Sequence, residues 1–193
     1  MIPKLNIVSA LAALVFFFLP WVSIECNGKR MGTQTGVQMI MGTATSSTPQ
    51  GRPETPQAKM DEGKSLGTSY LAAAAAIAVA SALLIAFAAL IKGDKDNERG
   101  AEILCTLALV LLLLQAAIGF PAKREMQKSL DEQRGATPAK GSFDEVGTQL
   151  AEQLVASVEV RPTQWFYMEL AALGVPALIL GNALLDRLKA KGS

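Results

Sequence analysis

Long apolar blocks alternate with polar ones along the chain, and two of the apolar blocks sit close together. Leu71–Ile91 holds 21 residues with one polar side chain, Ser81. Ile103–Phe120 holds 18 residues, of which only Thr106 and Gln115 are clearly polar. A helix rises about 1.5 Å per residue and the hydrocarbon core of a bilayer is roughly 30 Å thick, so both blocks are long enough to span. Backbone groups in lipid find no water to bond, which predicts helix. A first block, Leu5–Ile24, is uncharged, contains Phe16, Phe17 and Phe18, and closes on Pro20-Trp21 and a short apolar tail. A last block starts at Trp165-Phe166-Tyr167 and runs to about Leu185. The pattern predicts an all-α integral membrane fold, one membrane domain over 1–193. Its four transmembrane helices fall at about 5–24, 70–91, 102–120 and 165–185. A buried soluble helix pair is the weaker reading because four such blocks occur. A cleaved signal peptide over the first block is also weaker. No small-x-small cleavage site follows, and Glu25 before Cys26 does not suit a lipoprotein-type site.

The polar stretches between these blocks carry their own patterns. Val22, Ile24 and Cys26 alternate with polar neighbours, and Asn27-Gly28 suits a type I′ turn, which needs positive φ at both central residues. This predicts a β-hairpin at 22–26 and 29–34 in the first extracytoplasmic loop, with an irregular loop as the alternative. Gly36–Met41, GVQMIM, reads as a short apolar turn or helix. Residues 42–65 are rich in Thr, Ser, Pro, Gln and Gly and too poor in apolar side chains to offset ordering entropy, which predicts an exposed linker. From Pro121 a polar helix is expected, ended by Gly135. In the second extracytoplasmic loop Phe143, Val146, Leu150, Leu154 and Val158 recur at three- and four-residue steps, an amphipathic helix. Ser142 is its candidate N-cap, with Glu145 three residues on. The extracytoplasmic loops are thus 25–69 and 121–164; the cytoplasmic loop is 92–101 and the tail 186–193.

Charge orients this plan. The segments expected inside (1–4, 92–100, 186–193) hold seven Lys or Arg in 21 residues, whereas those expected outside (25–70, 121–164) hold eleven in 90. Basic residues near span ends stay cytoplasmic, which puts both termini inside. Trp21, Trp165 and Tyr167 are expected as anchors at the membrane–water interface. In the second block Ala72, Ala76 and Ala80 form one row of small residues, and Ala78, Ala82 and Ala86 another. Small rows let helices approach closely, so this helix is expected at the centre with two neighbours. Gly174, Ala177 and Gly181 give a further small face, and Pro176 is a candidate kink site.

Composition removes chemistries more than it adds them. The formal net charge is +1, which gives no bulk field for nucleic acid, and there is no histidine to act as acid–base catalyst or metal ligand. No phosphate-binding glycine loop, nucleophile elbow or metal-ligand cysteine spacing occurs. No cofactor is expected. The two cysteines, Cys26 and Cys105, fall at opposite sides of the predicted bilayer. Cys26 reads as a small buried hydrophobe or as an intermolecular disulfide partner, and Cys105 as an inert apolar thiol. Glu102 reads as a helix-start residue favoured by the helix dipole. That leaves Glu169 as the acid well inside a span, which snorkels to the surface one turn after the aromatic belt, pairs with Lys123 or Arg124, or acts functionally. A polar path could draw only on Thr106, Gln115, Glu169 and Asn182.

Pro20-Trp21 and Cys26 after the first span, together with four spans and a β-bearing first outer loop, resemble claudin-type tetraspan proteins in topology. The paired cysteines of the claudin first loop are missing, and no function is carried over. The sequence leads instead to a non-catalytic membrane protein in a lipid bilayer, a structural, assembly or accessory subunit with a membrane-protein partner or a homo-oligomer. The alternative is a small oligomeric transporter or channel. The absence of an Asn-x-Ser/Thr acceptor agrees with a bacterial source, hence a bacterial inner membrane. A reporter that fluoresces only in the cytoplasm is expected to light up when fused to the C-terminus. A dark fusion would overturn the orientation.

Overall fold

A computed structural model describes residues 2–26, 29–46, 67–93, 95–125, 128 and 158–192. The elements in chain order are helix α1 (Ile2–Phe16), strands β1 (Pro20–Cys26) and β2 (Lys29–Thr35), helix α2 (Gly36–Met41), strand β3 (Thr45–Ser46), helices α3 (Tyr70–Lys92) and α4 (Lys95–Ile118), strand β4 (Val158–Pro162) and helix α5 (Gln164–Gly192). They fall into two compact units. One holds residues 1–19, 70–118 and 164–193; the other holds 20–69 and 119–163.

The first unit is helical. α3, α4 and α5 are long and apolar enough to cross a membrane. α1 has 15 residues, about 22 Å at 1.5 Å per residue, and falls short of the roughly 30 Å core. The expected first span at 5–24 is corrected accordingly. Pro20 has no N–H to continue a helix, and residues 20–24 go to β1. The inner loop is also shorter than expected. Gly93, at φ 68°, turns the chain after α3, and α4 begins at Lys95 rather than at 102. Asp96 and Glu98 in its first turn meet the positive end of the helix dipole, which extends the helix through the charged segment. The expected tail 186–193 is helical as far as Gly192.

The helices pack through stripes with three- and four-residue steps. α3 buries Ala72, Ala75, Val79, Ala82, Ala86 and Ala89. α4 buries Ala101, Cys105, Ala108, Leu112 and Gln115, and α5 buries Phe166, Glu169 and Leu173. Such a period keeps one seam facing a neighbour at a shallow crossing angle. α3 contacts α1 and α4, and α5 also contacts α1 and α4. α3 therefore has two neighbours, as its small rows imply, but sits at a corner rather than at the centre. The seam takes Ala78, Ala82 and Ala86 fully, whereas of the other row only Ala72 is buried and Ala76 and Ala80 are half-buried.

The second unit is built on a small sheet of order β3-β2-β1-β4. The expected hairpin is present: β1 pairs antiparallel with β2, with Cys26 opposite Lys29 and Pro20 opposite Thr35. Asn27 and Gly28, the expected turn, lie outside the described residues. β1 is not half-buried. It is the central strand, paired on its other edge with β4 from Val22↔Pro162 to Cys26↔Val158. Trp21, Val22, Ser23 and Ile24 are all buried. Trp21, expected as an interfacial anchor, is instead the largest fully buried side chain among the described residues. Its carbonyl accepts from Thr163 N at 2.8 Å, and the Thr163 hydroxyl donates to the Pro20 carbonyl. On the exposed β4, Arg161 donates to Glu159 at 2.6 Å, which holds the guanidinium above its ordinary pKa.

α2 takes the place of the expected apolar turn or helix. Thr35 caps it: its Oγ1 accepts from Gln38 N at 3.1 Å while the Gln38 side chain accepts from Thr35 N at 3.0 Å. Thr35 and Gln38 thus form a reciprocal capping box. Gly42, at φ 71°, closes the helix in the left-handed region. Residues 47–66 of the expected linker and the expected amphipathic helix at 143–157 lie outside the described residues, and Val158 begins β4.

Ala82→Leu is expected to destabilise the protein by about 1–3 kcal/mol, because a filled seam has no room for three more carbons. Leu84→Ala, at a side chain 72% exposed, is expected to shift stability by less than about 0.5 kcal/mol. Thermal unfolding of both variants in the same detergent checks the contrast.

Candidate functional site

The seams of the helical unit are not uniformly apolar. α1 contributes buried Asn6 and Ser9, α4 contributes buried Glu102, Cys105 and Gln115, and α5 contributes buried Glu169. The buried seam of α3 carries only alanine and valine. Three of the four helices thus place polar groups inside, and two of these groups are carboxyls.

Glu102 is the residue that sequence reasoning missed. It reads as a helix-start acid only if α4 begins there. Because α4 begins at Lys95, Glu102 lies two turns in, beside Ala101 on the buried seam. The signal available was the absence of proline between Lys95 and Glu102, together with two better-placed acids for the first turn. Asn6 Nδ2 donates to Glu102 Oε1 at 3.2 Å, which ties α1 to α4 in the interior. One turn along, the Thr106 hydroxyl donates to the Glu102 carbonyl at 2.8 Å.

Glu169 is 0% exposed, and neither of its carboxylate oxygens has a hydrogen-bond partner among the described residues. The expected ion pair with Lys123 or Arg124 is therefore absent; both of those side chains are exposed. Nor is Glu169 the lone interior acid, since Glu102 joins it. The Cys105 thiol lies within electrostatic reach of both Glu102 and Glu169, so one residue relates the two acids. Among the described residues no lysine or arginine is buried.

The remaining sequence candidates separate. Gln115 is buried on α4. Asn182 is exposed, as is every residue from there to Lys191, because this end of α5 outruns its neighbours. Tyr167 is exposed, in keeping with an interfacial ring, while half-buried Trp165 packs on Phe16 with ring centroids 6.4 Å apart. Cys26 stands in β1 at the hairpin end, and Cys105 is a free, buried thiol. No group of three or more Cys, Asp or Glu side chains suited to a metal ion occurs among the described residues.

Chemically, the interior offers acceptor oxygens without matching donors. A buried acceptor left without its donor costs about 1–3 kcal/mol. Asn6→Ala is expected to cost that much, and a double-mutant cycle with Glu102→Ala is expected to return a less-than-additive loss. Chemical unfolding of the four proteins measures both values; strict additivity would mean that the 3.2 Å contact contributes nothing.

Comparison of the chain with protein-family models, with curated proteins and with solved structures found no match.

Proposed function

We propose that the protein is a non-catalytic four-helix membrane protein that serves as an assembly or accessory subunit of a larger membrane complex. In this reading α1 joins the three longer helices as a fourth, short span. The pairing of β1 with β4 supports an even number of crossings between them, since paired strands must share one side of a bilayer. Large apolar side chains on the outer faces, such as Ile77, Leu84 and Phe87 on α3 and Ile103, Leu107 and Val110 on α4, suit lipid.

The observation that carries the assembly reading is on α5. A Cβ added at Gly174 or at Gly181 would meet nothing within 4 Å. The small face of Gly174, Ala177 and Gly181 is therefore not filled by the chain's own helices. In lipid, association depends on close packing, and a small-residue face accepts a neighbouring helix backbone. The same helix continues past Gly181 with exposed Leu184, Leu185 and Leu188. Those turns extend the available face toward the basic end at Lys189 and Lys191. The partner is a transmembrane helix, from another protein or from a second copy. The proposed setting is a bacterial inner membrane with both termini cytoplasmic.

Gly174→Leu and Gly181→Leu test this. Each variant is expected to leave thermal stability of the purified chain within about 0.5 kcal/mol, since the new side chain enters open space. The native protein is expected to run as a high-mass assembly on native electrophoresis after gentle extraction, and each variant is expected to lose it. An assembly that survives both substitutions, or none in the native protein, would overturn the reading.

A further inference from the structure

The interior acids have no part in an assembly face, and their geometry poses a separate question of charge. Phe16, the last residue of α1, stacks near Trp165 at the start of α5, so these contacting helices run in opposite directions. Asn6 lies ten residues before Phe16 and Glu169 four residues after Trp165. At about 1.5 Å per residue they are at levels about 9 Å apart along the bundle. The interior therefore holds its two acids at different levels, with buried Gln115 farther along α4. At one, Asn6 satisfies one oxygen of Glu102 at 3.2 Å. At the other, Glu169 stands alone with two unpartnered oxygens. Cys105 is in reach of both acids.

What is missing at Glu169 is positive. α4 faces this region with Cys105 and Glu102, and α1 brings Asn6 and Ser9, neither of them basic. The buried seam of α3 brings only alanine and valine. On α5 itself the nearest charged residues are Asp186 and Arg187, more than four turns on and exposed. Asn6 Oδ1 is a second buried oxygen without a partner, on a side chain 2% exposed. Among the described residues of the helical unit every orphaned side-chain atom is thus an acceptor, and not one is a donor. Burying a carboxylate without compensation costs several kcal/mol, and Glu102 adds a second carboxyl to the same interior. A neutral ligand would answer the hydrogen-bonding deficit but not the charge.

We propose that Glu169 is a cation-binding site in the interior of the helical unit, its carboxylate oxygens taking up one small monovalent cation, a proton or an alkali-metal ion. The ligand is monovalent because the described residues offer no third acidic or sulfur ligand of the kind that a divalent metal collects. Binding exchanges the cation with bulk solution and changes no covalent bond of the chain beyond the O–H formed when the cation is a proton. Glu102, held by Asn6, is a positioning residue for the field at Glu169 and not a ligand. The site is independent of the α5 small face, so assembly and cation binding fail separately.

Dicyclohexylcarbodiimide tests the site on the full-length native chain in detergent. The reagent adds to a protonated carboxyl in apolar surroundings, and peptide mass spectrometry locates the adduct. Labelling at Glu169 is expected; an alkali-metal ion held there is expected to slow it, whereas a proton held there is expected to speed it. Slowing by sodium chloride but not by choline chloride at constant pH assigns an alkali-metal ion. Competition then predicts about tenfold slower labelling at roughly ten times the sodium dissociation constant. Slowing on raising the pH alone, with sodium without effect, assigns the proton. Glu169→Gln is expected to remove the adduct, and Glu102→Gln to keep it while changing the concentration of cation that alters its rate. Absence of labelling at Glu169, or labelling that neither sodium nor pH alters, would overturn the proposal. Each of these results is read from the native chain even if a variant does not fold.

Discussion

Close approach of helix backbones through small side chains is the constraint on which the helical unit depends. Within lipid, apolar area gives helices no reason to prefer one another over the surrounding chains, so packing and interior hydrogen bonds must hold them. α3 meets this with a seam of alanines and one valine, and α4 with Ala101, Cys105 and Ala108. Such narrow residues bring two helices close but leave little volume to fill. The larger side chains go outward instead, so that Ile77, Leu84, Ile103 and Leu107 are exposed while their alanine neighbours are buried. This inversion of the usual soluble pattern is compatible with a lipid surround.

The polar seam residues belong to the same logic. A narrow helix contact admits a carboxyl only where a facing side chain answers it or where a ligand does. Asn6 answers Glu102, and this cross-helix bond complements the apolar packing of α1, the shortest helix of its unit. No described side chain answers Glu169. The difference between the two acids is therefore one of partners rather than of burial, since both are enclosed.

In the second unit, the central position of β1 organises what surrounds it. With β2 on one edge and β4 on the other, it draws together segments more than 130 residues apart in sequence, as Ile24 opposite Val160 shows. Trp21 fills the space that this produces, and Thr163 closes the end of β4 against it. α2 and its Thr35–Gln38 capping box give β2 a defined exit. Ser69 N donates to the Met39 carbonyl at 3.0 Å, which fastens the far end of the same stretch before α3.

Local signals were legible wherever one short stretch decides an element. α3 matches its apolar block within a residue at each end. The β1–β2 hairpin follows from alternation around Asn27-Gly28, and Gln115 and Glu169 stand out as polar residues in apolar runs. The start of α4 was misread because charge suggested a loop, whereas helix propensity and the dipole carry charged residues easily. That error hid Glu102. The sequence by itself determined the apolar blocks, the hairpin and the absence of histidine chemistry, because these depend on composition and on neighbours a few residues apart. Only the tertiary structure decided that residues 20–24 leave the first helix for a central strand and that β4 joins it. It alone showed that Trp21 is core, and that of the two enclosed acids Glu102 has a partner and Glu169 has none. Those outcomes depend on pairings between distant segments, and a hydrophobicity pattern records that a side chain is to be buried, not what it will be buried against.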